Sequence, residues 1–378
     1  MFGKSFKLFD LLGFEVKIDP SWFVLAILIT WSLAEGLFPA YYQGLATATY
    51  WLMGTAAAVG LFFSIVLHEL CHSLVARRYD IPMKGITLFI FGGVAEMNQE
   101  PKTAKSEMLM AVAGPAASLG IAGIFFGANL AGQDNLWSTP FRGVLQYLAL
   151  INVILAGFNL IPAFPLDGGR VLRAALWGWK HNLRWATRIA SRIGSYFGML
   201  LIVLGVVNFI WGNPLSGVWW FLIGLFLRGV SRNSYRQVLV HLALKGDKVR
   251  HFMDRDPVTV PHDITVDQLV DDYVYRYGQR SFPVVEEDSR LVGCVNVSDI
   301  KEIPRAEWTR HQVEELSENC TDELLITEDK DATEALTTMQ RSGLSRLMVT
   351  ESGKLVGVIS LHDLMRHLSL KMDLEEES

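Results

Sequence analysis

The sequence predicts a polytopic α-helical membrane protein, with about six transmembrane helices, carrying a cytosolic α/β module built from a tandem repeat. Three observations predict it. Hydrophobic residues make up 51% of the 378 positions, too many for two ordinary soluble domains. The apolar residues form long runs in the first part of the chain and short alternating segments in the last part, which divides it into residues 1–240 and 241–378. Charge divides in the same way: residues 1–240 contain 18 Lys and Arg against 11 Asp and Glu, whereas residues 241–378 contain 16 against 28.

An acidic balance with no basic cluster beyond the membrane flanks gives no support for nucleic-acid binding, and no such partner is expected. Three cysteines are an odd number and stand far apart, which argues against a disulfide framework and suits a cytosolic location for Cys294 and Cys320. Lys4, Lys7, Asp10, Glu15 and Lys17 interrupt any early apolar core, so the N-terminus lacks a signal-peptide pattern and reads as a short cytosolic or interfacial lead-in.

A lipid core of about 30 Å takes roughly 20 mainly apolar residues of helix. Stretches approaching that length occupy residues 21–38, 50–76, 108–130, 144–161, 195–211 and 215–230, the last two joined by the turn Gly212-Asn213-Pro214. Lys and Arg of short loops favour the cytosol. Arg77, Arg78, Lys84, Lys102 and Lys105 follow the second stretch; Arg170, Arg173, Lys180, Arg184, Arg188 and Arg192 follow the fourth; Arg228, Arg232 and Arg236 close the sixth. The opposite loops contain only Arg142, so both termini are expected in the cytosol, with the second stretch running inward to Arg77. Residues 170–192 mix these cations with Leu172, Leu176, Trp177, Trp179 and Trp185, which fits either a helix lying on an anionic membrane surface or a loop with some helix.

The second stretch contains His68-Glu69-Leu70-Cys71-His72 near its inner end. Helix residues four apart share a face one turn apart, a spacing that suits two imidazoles on one tetrahedral metal ion. Glu69 is then placed to take a proton from an attacking water. Three ionisable groups in a lipid-spanning helix are costly without interior partners and so mark a functional site; the competing reading is a polar cluster that ties helices together. Two histidines leave a catalytic metal one protein ligand short. The run Asn159-Leu160-Ile161-Pro162-Ala163-Phe164-Pro165-Leu166-Asp167-Gly168-Gly169-Arg170 offers a carboxylate at the inner end of the fourth stretch, level with the histidines. Its prolines end the helix and its glycines permit close backbone approach, so Asp167 either turns to the metal or is a turn aspartate. Cys71 reads as a small buried helix residue rather than a ligand. Residues 85–97 are apolar, β-prone and broken by Gly92-Gly93, too short to span. They suit a re-entrant hairpin beside the site, where a strand pairs with an extended substrate or simply seals the site.

Together these motifs resemble the site-2 protease family of intramembrane metalloproteases, whose pattern is an HExxH on one membrane helix and an NxxPxxPLDGG segment on a later one. Ala113-Gly114-Pro115-Ala116-Ala117-Ser118 is similar to the family's AGPxxN element, with Ser118 where many members have Asn; the departure bears on a packing or hydrogen-bonding role there. The resemblance covers the membrane half. It implies one Zn2+ per chain held by His68, His72 and Asp167, with Glu69 as general base and later proton donor. Asn159 would hold or polarise the substrate carbonyl, or would pack between helices. The implied substrate is a membrane-spanning protein, and the implied location is the inner membrane of a prokaryotic cell.

After residue 249 two similar units follow, with Leu291-Val292-Gly293 and Asn296-Val297-Ser298-Asp299 in the first and Leu355-Val356-Gly357 and Ser360-Leu361-His362-Asp363 in the second. Gly293 and Gly357 stand 64 residues apart, an internal repeat. The pattern resembles tandem cystathionine-β-synthase (CBS) domains, at about residues 249–305 and 313–370. The resemblance implies a cleft for an adenine nucleotide (ATP, ADP or AMP), with Ser360 offering a hydroxyl and Asp363 accepting from ribose hydroxyls. In the first unit Asp299 is retained but Asn296 replaces the usual Ser or Thr. The alternative is a module that binds no nucleotide and pairs two chains as a homodimer.

The sequence therefore favours an intramembrane zinc endopeptidase modulated by nucleotide. Two rivals stand beside it: a CBS-regulated membrane transporter or channel, which leaves His68, His72 and Asp167 unexplained, and a catalytically inactive membrane binding protein, against which the complete motifs argue.

Overall fold

The computed structural model describes residues 5–81, 83–90, 92–97, 101–132, 137–286, 288–317 and 324–367. Cys320 and both chain termini lie outside the described residues. The chain divides into two compact units, Met1–Val238 and Leu239–Ser378.

The N-terminal lead-in is not an irregular segment. Strands β1 (Phe6–Leu11) and β2 (Phe14–Ile18) form an antiparallel pair, and β2 runs parallel to β3 (Met83–Phe89), which pairs antiparallel with β4 (Gly92–Met97). The sheet order is β1-β2-β3-β4, which leaves β4 at an edge. Strand β2 alternates as half-buried strands do, with Phe14, Val16 and Ile18 inward and Glu15 and Lys17 outward. Its inner face packs on Ala58, Leu61, Phe62 and Ile65 of the long helix described next. The pairing of Glu15 with Gly85 joins segments far apart in sequence, so no local pattern announces it.

Helices α1 (Ser21–Ser32) and α2 (Phe38–Tyr41) are joined by a π-helical turn, Leu33–Leu37. Then come α3 (Thr47–Arg78), α4 (Ala104–Ala131), α5 (Thr139–Asn159), α6 (Asp167–Lys180), α7 (Leu183–Ile210) and α8 (Pro214–Leu244). Arg77 and Arg78 in the last turn of α3 complement the helix dipole. Thr103 and Ser106 close α4 with a reciprocal capping box. Among the described residues, five helices are long and apolar enough to cross a membrane: Ser21–Tyr41, Thr47–Arg78, Ala104–Ala131, Thr139–Asn159 and Leu183–Ile210. The sixth apolar stretch, 215–230, lies inside α8. Helices α7 and α8 reverse at Gly212, whose φ of +94° suits glycine, and approach closely through Gly198 opposite Gly224 and Gly205 opposite Gly217. Residues 170–192 are not one surface element: α6 ends at His181 in a left-handed conformation, and α7 begins two residues later.

The second unit contains β5 (Val260–Pro261), α9 (Val266–Gln268), α10 (Tyr275–Tyr277), β6 (Ser281–Val285), β7 (Leu291–Asn296) and α11 (Val297–Ile300). It continues with α12 (Val313–Leu316), β8 (Leu325–Ile326), α13 (Ala332–Ser342), β9 (Arg346–Glu351) and β10 (Lys354–Ser360). Each repeat places a short parallel strand beside an antiparallel hairpin, giving sheets β5-β6-β7 and β8-β9-β10. The two repeat glycines occupy matching ladder positions, Gly293 opposite Val284 and Gly357 opposite Val349. Cys294, Met348 and Val358 cluster between the sheets and join the repeats.

Candidate active site and metal centre

Helix α3 carries His68 and His72 on its buried face, 4% and 9% exposed. The Met110 carbonyl lies 2.6 Å from His72 Nδ1. A carbonyl can only accept, so Nδ1 of His72 donates, and in the neutral ring Nε2 keeps its lone pair. His68 Nδ1 lies 2.8 Å from the Ser118 hydroxyl oxygen, which leaves its Nε2 to point the other way. The two Nε2 atoms are 3.2 Å apart, and Asp167 Oδ2 stands 3.1 Å from that of His68 and 3.2 Å from that of His72. Ligand atoms around a tetrahedral zinc, at about 2.0 to 2.1 Å from it, stand about 3.3 Å from one another. The three convergent atoms match that spacing, and their chemistry, two imidazoles and a carboxylate, is that of a catalytic zinc site.

One stripe of α4 builds the back wall. Met110, Gly114 and Ser118 recur every four residues and so share a helix face. Met110 accepts from His72, Ser118 meets His68, and a Cβ on Gly114 would overlap Nε2 of both rings. Gly114 thus keeps open the space toward which the two nitrogens point. Asn152 of α5, fully buried, donates to Ser64 Oγ at 3.0 Å and ties α5 to α3 one turn before His68.

Asp167 arrives on a different element from the one expected. It is the first residue of α6, and residues 160–166 form the connection from α5. The connection is close-packed: a Cβ on Gly168 would overlap the Leu160 carbonyl, and one on Gly169 the backbone of Ala163 and Phe164. The positive end of α6 favours an ionised carboxylate at its first position. From α8, the buried Ser231 hydroxyl lies 2.5 Å from the Phe164 carbonyl oxygen, three residues before Asp167.

Glu69 is half-buried beside the edge strand β4, where a Cβ on Gly93 would come within 2.9 Å of its Cγ and 3.4 Å of its Oε1. Asn159, the last residue of α5, is half-buried and outside the ligand cluster, as is Cys71. Sequence reasoning missed several site residues. The Met110 carbonyl is backbone and carries no signal. Ser118, met as a departure from a motif, makes a hydrogen bond to a ligand ring. Buried Glu107 lies one position before the expected start of the third stretch, where its charge would have flagged it.

In the second unit the candidate nucleotide contacts cap helices. Asp363 N–H donates to Ser360 Oγ at 3.1 Å, and Ser360 donates to Asp363 Oδ2 from its backbone and its hydroxyl. Asn296 N–H likewise donates to Asp299 Oδ2 at 2.9 Å. A carboxylate has further lone pairs, so capping does not consume its capacity to accept.

The family model of peptidase family M50 matches residues 56–134 and 128–205, and that of the CBS domain matches residues 249–305 and 313–370. A Synechocystis protein provisionally named a zinc metalloprotease is 32% identical over 368 residues, 97% of this chain and 96% of its own length. Zinc metalloprotease MJ0392 of Methanocaldococcus jannaschii is 31% identical over 380 residues, 99% of this chain and 98% of its own. Among solved structures, the site-2 protease from Methanocaldococcus jannaschii is 29% identical and matches with a TM-score of 0.43, covering 62% of this chain and 96% of that one. The two full-length metalloprotease relatives set aside the transporter or channel reading. With full-length relatives of this kind, the chain belongs to peptidase family M50, as a multi-pass membrane zinc metalloprotease of the site-2 type with a tandem CBS domain pair.

Proposed function

We propose that this protein cuts membrane-spanning proteins at membrane depth, with zinc held by His68, His72 and Asp167. The observation that carries the proposal is the convergence of His68 Nε2 and His72 Nε2, on an apolar helix long enough to span a membrane, with Asp167 Oδ2. Zinc held by these three residues would supply Lewis-acid chemistry, polarising a carbonyl and making water more acidic. Glu69, one residue from a ligand, takes the proton of that water and returns it to the leaving amine. Asn159, half-buried at the end of α5, is assigned to holding the substrate carbonyl. Among the described residues strand β4 is an edge of the four-stranded sheet and lies against Glu69 at Gly93, so an unwound substrate adding to it would bring its backbone to the base. In liposomes holding the zinc-loaded protein and a single-span test substrate, the new termini should map inside the span. Cleavage confined to water-exposed loops would overturn the proposal.

The proposed location is a prokaryotic inner membrane with both termini cytosolic. Arg77 Nη1 donates to the Leu12 carbonyl at 2.8 Å, which supports the N-terminal strands lying at the Arg77 end of α3. Single cysteines at Arg77, Arg170 and Arg232 should label only from the cytosolic side, and those at residues 137–142 only from the other. Labelling of Arg170 from outside would reject this topology.

The CBS pair is proposed to bind an adenine nucleotide through Ser360 and Asp363, with Asp299 as a contact in the first repeat, and to offer a surface for homodimerisation. Helix α8 contains Ser231, hydrogen-bonded beside the Asp167 connection. Nucleotide would regulate only by binding two arrangements of the module with different affinity. In calorimetry of the full chain with ATP, ADP and AMP, Asp363→Ala should weaken binding by about 1 to 3 kcal/mol while zinc stays bound. No wild-type binding at millimolar nucleotide would reject the site, and binding without a change in cleavage rate would reject regulation.

A further inference from the structure

Among the described residues the largest fully buried side chain is that of Arg173, on α6, and its guanidinium meets Glu107 on α4, itself wholly buried. Nε and Nη2 both lie 2.5 Å from Glu107 Oε1. A buried ion pair contributes little net stability, because desolvation of both charges offsets their attraction. In some proteins such a pair instead specifies register, since a charge left unpaired in the interior disfavours misaligned packing.

The two residues belong to the two elements that must meet at the metal site. Glu107 lies three positions before Met110 and continues the α4 stripe through Gly114 and Ser118, which accounts for the wall behind both histidines. Arg173 lies six positions after Asp167 on α6, and its guanidinium sits over the Phe164 ring at 5.2 Å, on the connection that leads into Asp167. The Asp167 carboxylate has no neighbour in sequence to aim it at rings on α3. It is carried by the first turn of α6, a helix that packs against α4.

We infer that Arg173 and Glu107 are positioning residues: their buried ion pair sets the register of α6 on α4 and thereby holds Asp167 Oδ2 equidistant from the two histidine nitrogens. The inference rests on the zinc site proposed above. Neither residue touches substrate or metal, so the effect is on how firmly the three ligands are held together.

The test is the rate at which zinc leaves the purified full-length protein, in detergent, into an excess of chelator. The double substitution Glu107→Leu/Arg173→Met removes both charges of the pair together at similar volume. It should keep the thermal midpoint of the zinc-free protein within a few degrees of wild type, yet release zinc at least about ten times faster, as loss of a group that orients a ligand does. With zinc in excess, kcat should fall while KM holds, because substrate contacts are untouched. Arg173→Lys, which keeps the charge but reaches Glu107 with one nitrogen, should fall between the two. Release at the wild-type rate from the double variant would overturn the inference, and if that variant fails to fold, wild-type release from Arg173→Lys overturns it equally. Wild-type protein that binds no zinc would instead defeat the metal site itself, so the two failures are distinguishable.

Discussion

Glu69→Gln should leave zinc bound at wild-type stoichiometry and lower kcat by about a thousandfold, the usual worth of a general base. The amide has nearly the shape of the carboxylate, so the space beside Gly93, where a Cβ would sit 2.9 Å from Glu69 Cγ, stays filled and β4 keeps its place. The three convergent atoms belong to His68, His72 and Asp167 and are untouched by the change. What is lost is the ability to accept a proton, because a neutral amide is a negligible base near neutral pH. Zinc content by elemental analysis, with cleavage rate in liposomes, separates the two effects. Turnover within about threefold of wild type would remove Glu69 from the chemistry, and loss of zinc would show that the residue supports the metal instead.

The second large effect comes from adding one carbon atom. Gly114→Ala should reduce zinc occupancy to about a tenth or less and abolish cleavage, at least the loss that a change behind the ligands typically gives. The Cβ would overlap Nε2 of both His68 and His72, so either the rings turn away or α4 moves off α3. Moving α4 also withdraws the Met110 carbonyl and the Ser118 hydroxyl that fix the two rings. Gly120→Ala on the same helix is the control: nothing lies within 4 Å of the added Cβ, and alanine has the better helix propensity. Gly120→Ala should bind zinc and cut as wild type does. Full zinc occupancy in Gly114→Ala would mean that the rings reach the metal from another direction.

Much of the candidate site was legible because its signals are local. The pair His68 and His72 needs only helical periodicity to share a face, and the prolines and glycines around Asp167 announce a broken helix with a close backbone approach. Asp167 was readable as a carboxylate near the membrane face but not as the first residue of a new helix, since nothing local separates a helix end from the start of the next two turns away. Ser118 illustrates the converse: judged against a motif it was a departure, while in the fold its hydroxyl lies 2.8 Å from His68 Nδ1. A hydroxyl can accept as an amide oxygen can, so serine is able to serve as the partner of the ring at this position.

The sequence by itself determined the division into an apolar and an acidic half, the residue types able to hold a metal, and the repeat marked by Gly293 and Gly357. Each of these is written in composition, in spacing of a few residues, or in self-similarity, and needs no knowledge of distant contacts. Only the tertiary structure decided that residues 6–18 complete a sheet with residues 83–97, that one face of α4 backs both histidines, and that a buried Arg173–Glu107 pair joins α4 to α6. These depend on the register of helices and strands packed against one another across many tens of residues. Register is fixed by the sum of many small packing and desolvation terms, and no single stretch of sequence contains that sum.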